Sequence, residues 1–156
     1  MKLSRAYLQI AFLLLLISAC GDGGKSRIEQ IKEQSKVEPA DPYENWQQFH
    51  GVGPVKEFTL AAEVDQQLAT TGQEIFETKC TACHKADKKF IGPAPKDILT
   101  RRNPAWVMNM ILAPDKMIKE DPIAKKLLMD FNGSPMANQN LTEEEARAVL
   151  EYFRTL

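Results

Sequence analysis

The sequence predicts an all-α fold, on three observations. Two helices open on a polar cap followed by proline, Asn103-Pro104 and Asp121-Pro122, and a third opens on a capping box, Thr142 with Glu145. Between these starts and the next breaker, apolar residues recur at three- and four-residue steps. No stretch alternates convincingly enough to make a strand. At 156 residues, one domain plus accessories is the starting assumption.

Residues 1–19 have the layout of an export signal. Lys2 and Arg5 begin it, Leu8 to Ile17 is apolar except for Gln9, and small residues close it at Ile17-Ser18-Ala19-Cys20. The apolar run is about half the roughly 20 residues a membrane-spanning helix needs. Its ending resembles a bacterial lipobox, which implies lipidation of Cys20 and a membrane anchor. Ordinary cleavage with Cys20 incidental, or an uncleaved anchor, is the plainer alternative. Removing residues 1–19 leaves 18 basic against 21 acidic residues, a balance of −3. No basic stripe is present, which argues against a nucleic-acid partner.

Residues 20–45 are charged and nearly free of large apolar side chains, and Pro39 and Pro42 interrupt them. They are expected to form a flexible tether, with a reach of roughly 25–30 Å for about 25 residues. Residues 46–62 place Trp46, Phe49, Val52, Val55, Phe58 and Leu60 among Gly51, Gly53 and Pro54. That is too apolar for a free linker and too broken for a helix, so an extended segment packed on the domain is expected.

Residues 63–156 form the expected domain, with four helices. The first runs from about Glu63 to Lys79, with Leu68, Gly72, Ile75 and Phe76 on one face. The second runs from Pro104 to about Leu112, where Ala113-Pro114 stops it. The third starts at Pro122, carries Ile123, Ala124, Leu127, Leu128 and Phe131 as a stripe, and ends at Asn132-Gly133. The fourth follows Thr142, with Glu143 and Glu144 at the positive end of its dipole and Ala146, Val149, Leu150 and Phe153 on its buried face.

Cys80-Thr81-Ala82-Cys83-His84 is a C-x-x-C-H haem-attachment signature. At the end of a helix, two cysteines at this spacing reach the two vinyl groups of one porphyrin, and the adjacent histidine lies under its iron. A disulfide across so small a ring would staple almost nothing. Zinc needs four ligands, and beyond this cluster the chain has only His50 and no cysteine to spare. A thioredoxin-like dithiol needs a βαβ setting that is missing here.

With that signature, residues 63–156 resemble class I monohaem cytochromes c of the bacterial, lipoprotein type. In that family a glycine and an aromatic residue precede the first haem cysteine at four-residue steps, as Gly72, Phe76 and Cys80 do here. The resemblance implies short helices wrapped around one covalent haem c, and a first helix crossing the last near Leu150, Tyr152 and Phe153. It implies that the carbonyl of Pro93 accepts the outer N–H of His84, although a plain turn before Pro95 is the alternative. It also implies that Met136, after Pro135 in an irregular loop ahead of the last helix, is the second axial ligand. Met108 and Met110 sit in an apolar helix that suggests packing, Met129 sits inside the third helix, and Met117 sits in a charged loop. His50 is the alternative ligand. Trp106 resembles the family's propionate-binding donor, with Arg101 or Arg102 as charge partner, while plain core packing suits the same ring. Asn138 and Asn140 suit either hydrogen bonding near Met136 or loop capping.

Histidine and methionine together fill both axial positions, which suits outer-sphere electron transfer, and a neutral thioether raises the reduction potential. The implied function is a one-electron carrier on the periplasmic side of a membrane. Its implied partners are a quinol-oxidising complex and an oxidase or periplasmic reductase, including nitrogen-oxide reductases. The competing readings are a haem sensor or small peroxidase with a displaceable sixth ligand, and a structural haem subunit of a larger complex.

Overall fold

The structure is a computed structural model and describes residue 41 and residues 43–156. The export signal, Cys20 and nearly all of the tether lie outside the described residues. Five α-helices occur among the described residues, with no strand: α1 (Gln66–Lys79), α2 (Pro104–Leu112), α3 (Pro114–Glu120), α4 (Pro122–Asp130) and α5 (Glu143–Phe153). None of them is long and apolar enough to cross a membrane.

Helix α1 starts at Gln66, three residues later than its apolar pattern suggests, because the Asp65 carboxylate accepts from the amides of Gln67 and Leu68. Asn103 caps α2 through the Ala105 amide, and Asp121 caps α4 through Ala124. Thr142 and Glu145 complete the expected capping box on α5. Helix α4 ends as expected, with Gly133 at φ 71° and its amide bonded to Leu128 O at 2.8 Å.

The expected stop at Ala113-Pro114 is also a start. Ala113 donates to Asn109 O at 2.8 Å and accepts from the Met117 amide at 3.0 Å, so one residue closes α2 and opens α3. Proline suits the first helical position, where its missing N–H costs nothing. Met117 is therefore fully buried in the core and does not lie in a charged loop.

α1 crosses α5 at Gly72. A Cβ there would collide with the carbonyl of Ala148 and lie 2.8 Å from the Val149 nitrogen. Phe76, one turn on, meets Tyr152 and Phe153 at centroid distances of 5.4 and 5.8 Å. The crossing thus begins at Ala148, two residues earlier on α5 than expected. Burial centres on α2, where Ala105, Trp106, Val107, Met108 and Ile111 join Ile123, Ala146, Val149 and Leu150.

Residues 43–60 form a strap over α2 and α3, with one short 3-10 turn at Trp46–Gln48. Asn109, fully buried in an otherwise apolar helix, accepts from the Val55 amide at 3.0 Å and donates to the carbonyls of Val55 and His50 at 2.7 and 2.9 Å. Asn103 donates to Gln47 O at 2.7 Å, and the Val52 amide lies 3.0 Å from the Met117 sulfur. A buried amide left unpaired here would be costly, and this segment has its polar backbone answered by side chains.

Candidate functional site

The end of α1 shapes the first wall of the site. The amides of Cys83 and His84 both point back to Cys80 O, at 3.1 and 2.9 Å, so the three chemical side chains leave one tight turn. Cys80 is half-buried and Cys83 exposed. Burial pushes the Cys80 thiol above its ordinary pKa, and Lys79 opposes the shift. The loop to Pro95 folds back on this turn through Gly92 N to Cys83 O at 2.8 Å and Lys96 N to Ala86 O at 2.9 Å.

His84 Nδ1 lies 2.8 Å from the carbonyl of Pro93. Since a carbonyl only accepts, this contact places the imidazole proton on Nδ1 and leaves the Nε2 lone pair available to a metal. Gly92 lies flat against the ring: a Cβ would strike Cε1 and come within 2.8 and 2.9 Å of the two ring nitrogens. Arg101 braces the same loop by donating to Ala94 O at 2.7 Å and Lys96 O at 2.9 Å.

Cys80, Cys83, His84 and Pro93 open onto one cleft with about 1390 Å³ of empty space counted out through its mouth. Helix α2 lines it with Trp106, Val107, Met110 and Ile111, and α4 with Leu127 and Leu128. The loop 131–141 adds Phe131, Pro135, Met136 and Leu141. Two thioethers therefore face the cleft: Met136 from an irregular loop and Met110 from a packed helix. Met108 and Met117 are core, and Met129 is exposed on α4. His50 is not among the residues lining the cleft; its carbonyl is held by Asn109. Asn138 reaches Leu112 O at 3.5 Å and accepts from the Asn140 amide at 2.8 Å, so these two asparagines shape the loop itself.

Trp106 lines the cleft with its ring, but its indole N–H is donated to Asp121 Oδ1 at 3.0 Å. The donor role expected of it toward a propionate is thus spent on the carboxylate that also caps α4. Asp121, legible in the sequence as the cap before Pro122, carries in addition this bond to the indole, which the sequence does not reveal. Arg102 is buried, and desolvation holds its guanidinium below the ordinary arginine pKa. Its Nε is the one buried side-chain nitrogen or oxygen among the described residues without a hydrogen-bond partner.

These features fit an iron porphyrin with two carboxylates. The lining is apolar, both thiols and a metal-ready imidazole share one cleft, and the glycine leaves the imidazole uncrowded. A buried, unsatisfied arginine nitrogen suits an anionic edge. Zinc fits poorly, because among the described residues no group of three or more His, Cys, Asp or Glu is placed so that it could hold a metal ion by itself.

Comparison with known proteins agrees. The family model described as cytochrome c matches residues 69–156. Cytochrome c-551 of Pseudomonas denitrificans is 30% identical over 93 residues, spanning 56% of this chain and 99% of that protein. Cytochrome c-551 of Ectopseudomonas mendocina is 32% identical over 87 residues, 55% of this chain and 98% of the relative. Among solved structures, a cytochrome c from Rhodothermus marinus has a TM-score of 0.63 at 46% identity, covering 66% of this chain and 88% of its own. An engineered form of that protein, bound to a carbene intermediate, gives 0.61 at 46% identity with the same coverage. The chain belongs to the cytochrome c family: it is an all-α class I member that carries covalent haem c and serves as an electron carrier.

Proposed function

We propose that this chain is exported, held on the periplasmic side of a bacterial membrane by a lipid on Cys20, and shuttles single electrons from a quinol-oxidising complex to an oxidase or periplasmic reductase. When bound, the haem supplies a one-electron Fe(III)/Fe(II) couple. The observation that carries the reading is the His84 Nδ1 to Pro93 O contact at 2.8 Å, beside both thiols in the cleft that Met136 lines.

Each residue has a role in that scheme. Cys80 and Cys83 tether the group, and His84 presents Nε2 with its ring angle held by Pro93. Met136 supplies a neutral sulfur from a loop able to reach over the cleft, and a thioether favours the reduced state. Leu127, Leu128, Val107 and Ile111 exclude water, which works in the same direction. Arg102 offers its guanidinium to the carboxylate edge. No proton transfer or bond-making is asked of any side chain.

Docking belongs at the cleft mouth beside Cys83. Phe90 and Ile91 are exposed there, flanked by Lys85, Lys88 and Lys89, with Lys85 Nζ 4.9 Å from the centre of the Phe90 ring. Asp87 sits among these lysines, and the balance of the patch is basic; small apolar patches rimmed by a net charge suit brief, steered encounters. Two measurements test the proposal. The purified protein should keep its Soret-absorbing colour in acidified organic solvent and titrate as a one-electron couple. A Cys20→Ser variant should leave the membrane fraction while keeping the same potential; retention on the membrane would end the lipid assignment.

A further inference from the structure

The strap ends at the haem cleft, and it ends on Arg102. The guanidinium carbon of Arg102 lies 5.3 Å from the ring centre of Tyr43 and 5.3 Å from that of Trp106, so one cation is shared by two aromatic faces. Each ring is pinned by its own polar group: the Tyr43 hydroxyl donates to Ile123 O at 3.2 Å, and the Trp106 N–H to Asp121 at 3.0 Å. One fork nitrogen, Nη1, donates to Arg101 O, while Nε remains buried without a partner. A second cation, Lys126, also has its Nζ 5.3 Å from the Tyr43 ring centre.

A lone guanidinium in an apolar cleft would ordinarily swing toward water. Here two fixed rings stabilise it in place, and cation–π attraction is strongest where water is excluded. Trp106 belongs to the stretch that matches the family model, 69–156, but Tyr43 precedes it by 26 residues. The far side of the socket therefore comes from the accessory segment, which Asn109, Asn103 and Met117 hold down over its length.

We propose that Tyr43 is a positioning residue of the haem site: by stacking on Arg102 it holds that cation against the carboxylate edge of the cofactor, so the strap sets part of the reduction potential. The proposal rests on the reading that Arg102 faces those carboxylates. A positive charge held near the iron favours the reduced state, and Tyr43 contributes by keeping the charge there.

The test is a spectroelectrochemical titration of the haem-loaded chain as parent, Arg102→Leu, Tyr43→Ala, Tyr43→Leu and Tyr43→Phe. Arg102→Leu should lower the reduced-to-oxidised ratio at the parent's midpoint by about tenfold, which is about 59 mV for one electron. Tyr43→Ala and Tyr43→Leu should lower it in the same direction by about threefold, and Tyr43→Phe should stay with the parent, since it keeps the face. Leucine keeps the apolar volume, so it separates lost stacking from a loosened strap. Combining Tyr43→Ala with Arg102→Leu should add nothing to Arg102→Leu alone. A shift in Arg102→Leu with none in Tyr43→Ala and Tyr43→Leu overturns the positioning role and leaves the Arg102 reading intact. A full shift in Tyr43→Phe, or additive effects in the double variant, also overturns it. No shift in Arg102→Leu removes both.

Discussion

Gly72 rests on the carbonyl of Ala148, with no room between the two backbones for a single carbon. Helix propensity alone favours alanine over glycine by about 1 kcal/mol, so an exposed site would gain from the change. At this crossing the collision wins, because backbone on both sides cannot move aside as a side-chain tip can. Gly72→Ala should therefore lose about 2–3 kcal/mol in denaturant unfolding of the holoprotein. A gain in stability would show that α1 and α5 do not meet in this way.

Met136 and Met110 both line the cleft, and only one position is loop-borne. Met136→Ala should lower the reduction potential and let the reduced protein bind carbon monoxide at least about tenfold faster, since a ligand contribution of even about 1.4 kcal/mol corresponds to that factor. Met110→Leu should do neither. Reversal of the two results would move the axial ligand to α2.

Asn109 makes three hydrogen bonds to the strap from a fully buried position. Asn109→Leu removes all three and strands the backbone groups of Val55 and the carbonyl of His50, at a cost of about 1–3 kcal/mol for each group left buried and unpaired. The expected outcome is faster proteolytic cutting within residues 43–60 and a lower unfolding midpoint. Unchanged cutting would mean that the remaining contacts, such as those of Asn103 and Met117, suffice to hold the strap.

Arg154 and Glu151 form a salt bridge at 2.8 Å, with side chains only 11% and 3% exposed. Arg154 also donates to Ala61 O, Ala62 O and Glu63 O, while Glu151 accepts from the Asp65 amide. Arg154→Ala leaves a carboxylate buried without its counter-charge and should cost about 3–5 kcal/mol. Adding Glu151→Gln should recover part of that loss. If the single variant matches the parent in thermal unfolding, water already reaches the pair.

Much of this was legible because local chemistry and tertiary structure agree. Asn103-Pro104, Asp121-Pro122 and Thr142 with Glu145 mark helix starts that depend only on neighbouring backbone, and they begin α2, α4 and α5 as written. The three chemical residues of the site are adjacent in sequence, so one turn of chain brings them together. Helix α3 was hidden because Ala113-Pro114 ends one helix and begins another with the same two residues. Met117 was misplaced with it: two lysines, two acids and a proline surround it in sequence, but only the helix turns it inward. The hydrogen bond from Trp106 to Asp121 joins residues whose meeting depends on how α2 packs against α4, which no local pattern encodes. Asn109 did leave a trace, as the one polar residue after Trp106 in a helix otherwise apolar. That trace says only that a partner exists, and the partner lies 54 residues away.

The strap gives the molecule a mechanical order. A pull on the chain ahead of Tyr43 reaches first the hydroxyl contact with Ile123, then Gln47 on Asn103, then the three bonds of Asn109. Further along the chain, Ala61 to Glu63 are gripped by Arg154 before the strain arrives at α1 and the haem cysteines. Tension applied ahead of Tyr43 is thus dissipated in a series of replaceable clasps, and the redox centre sits behind the last of them.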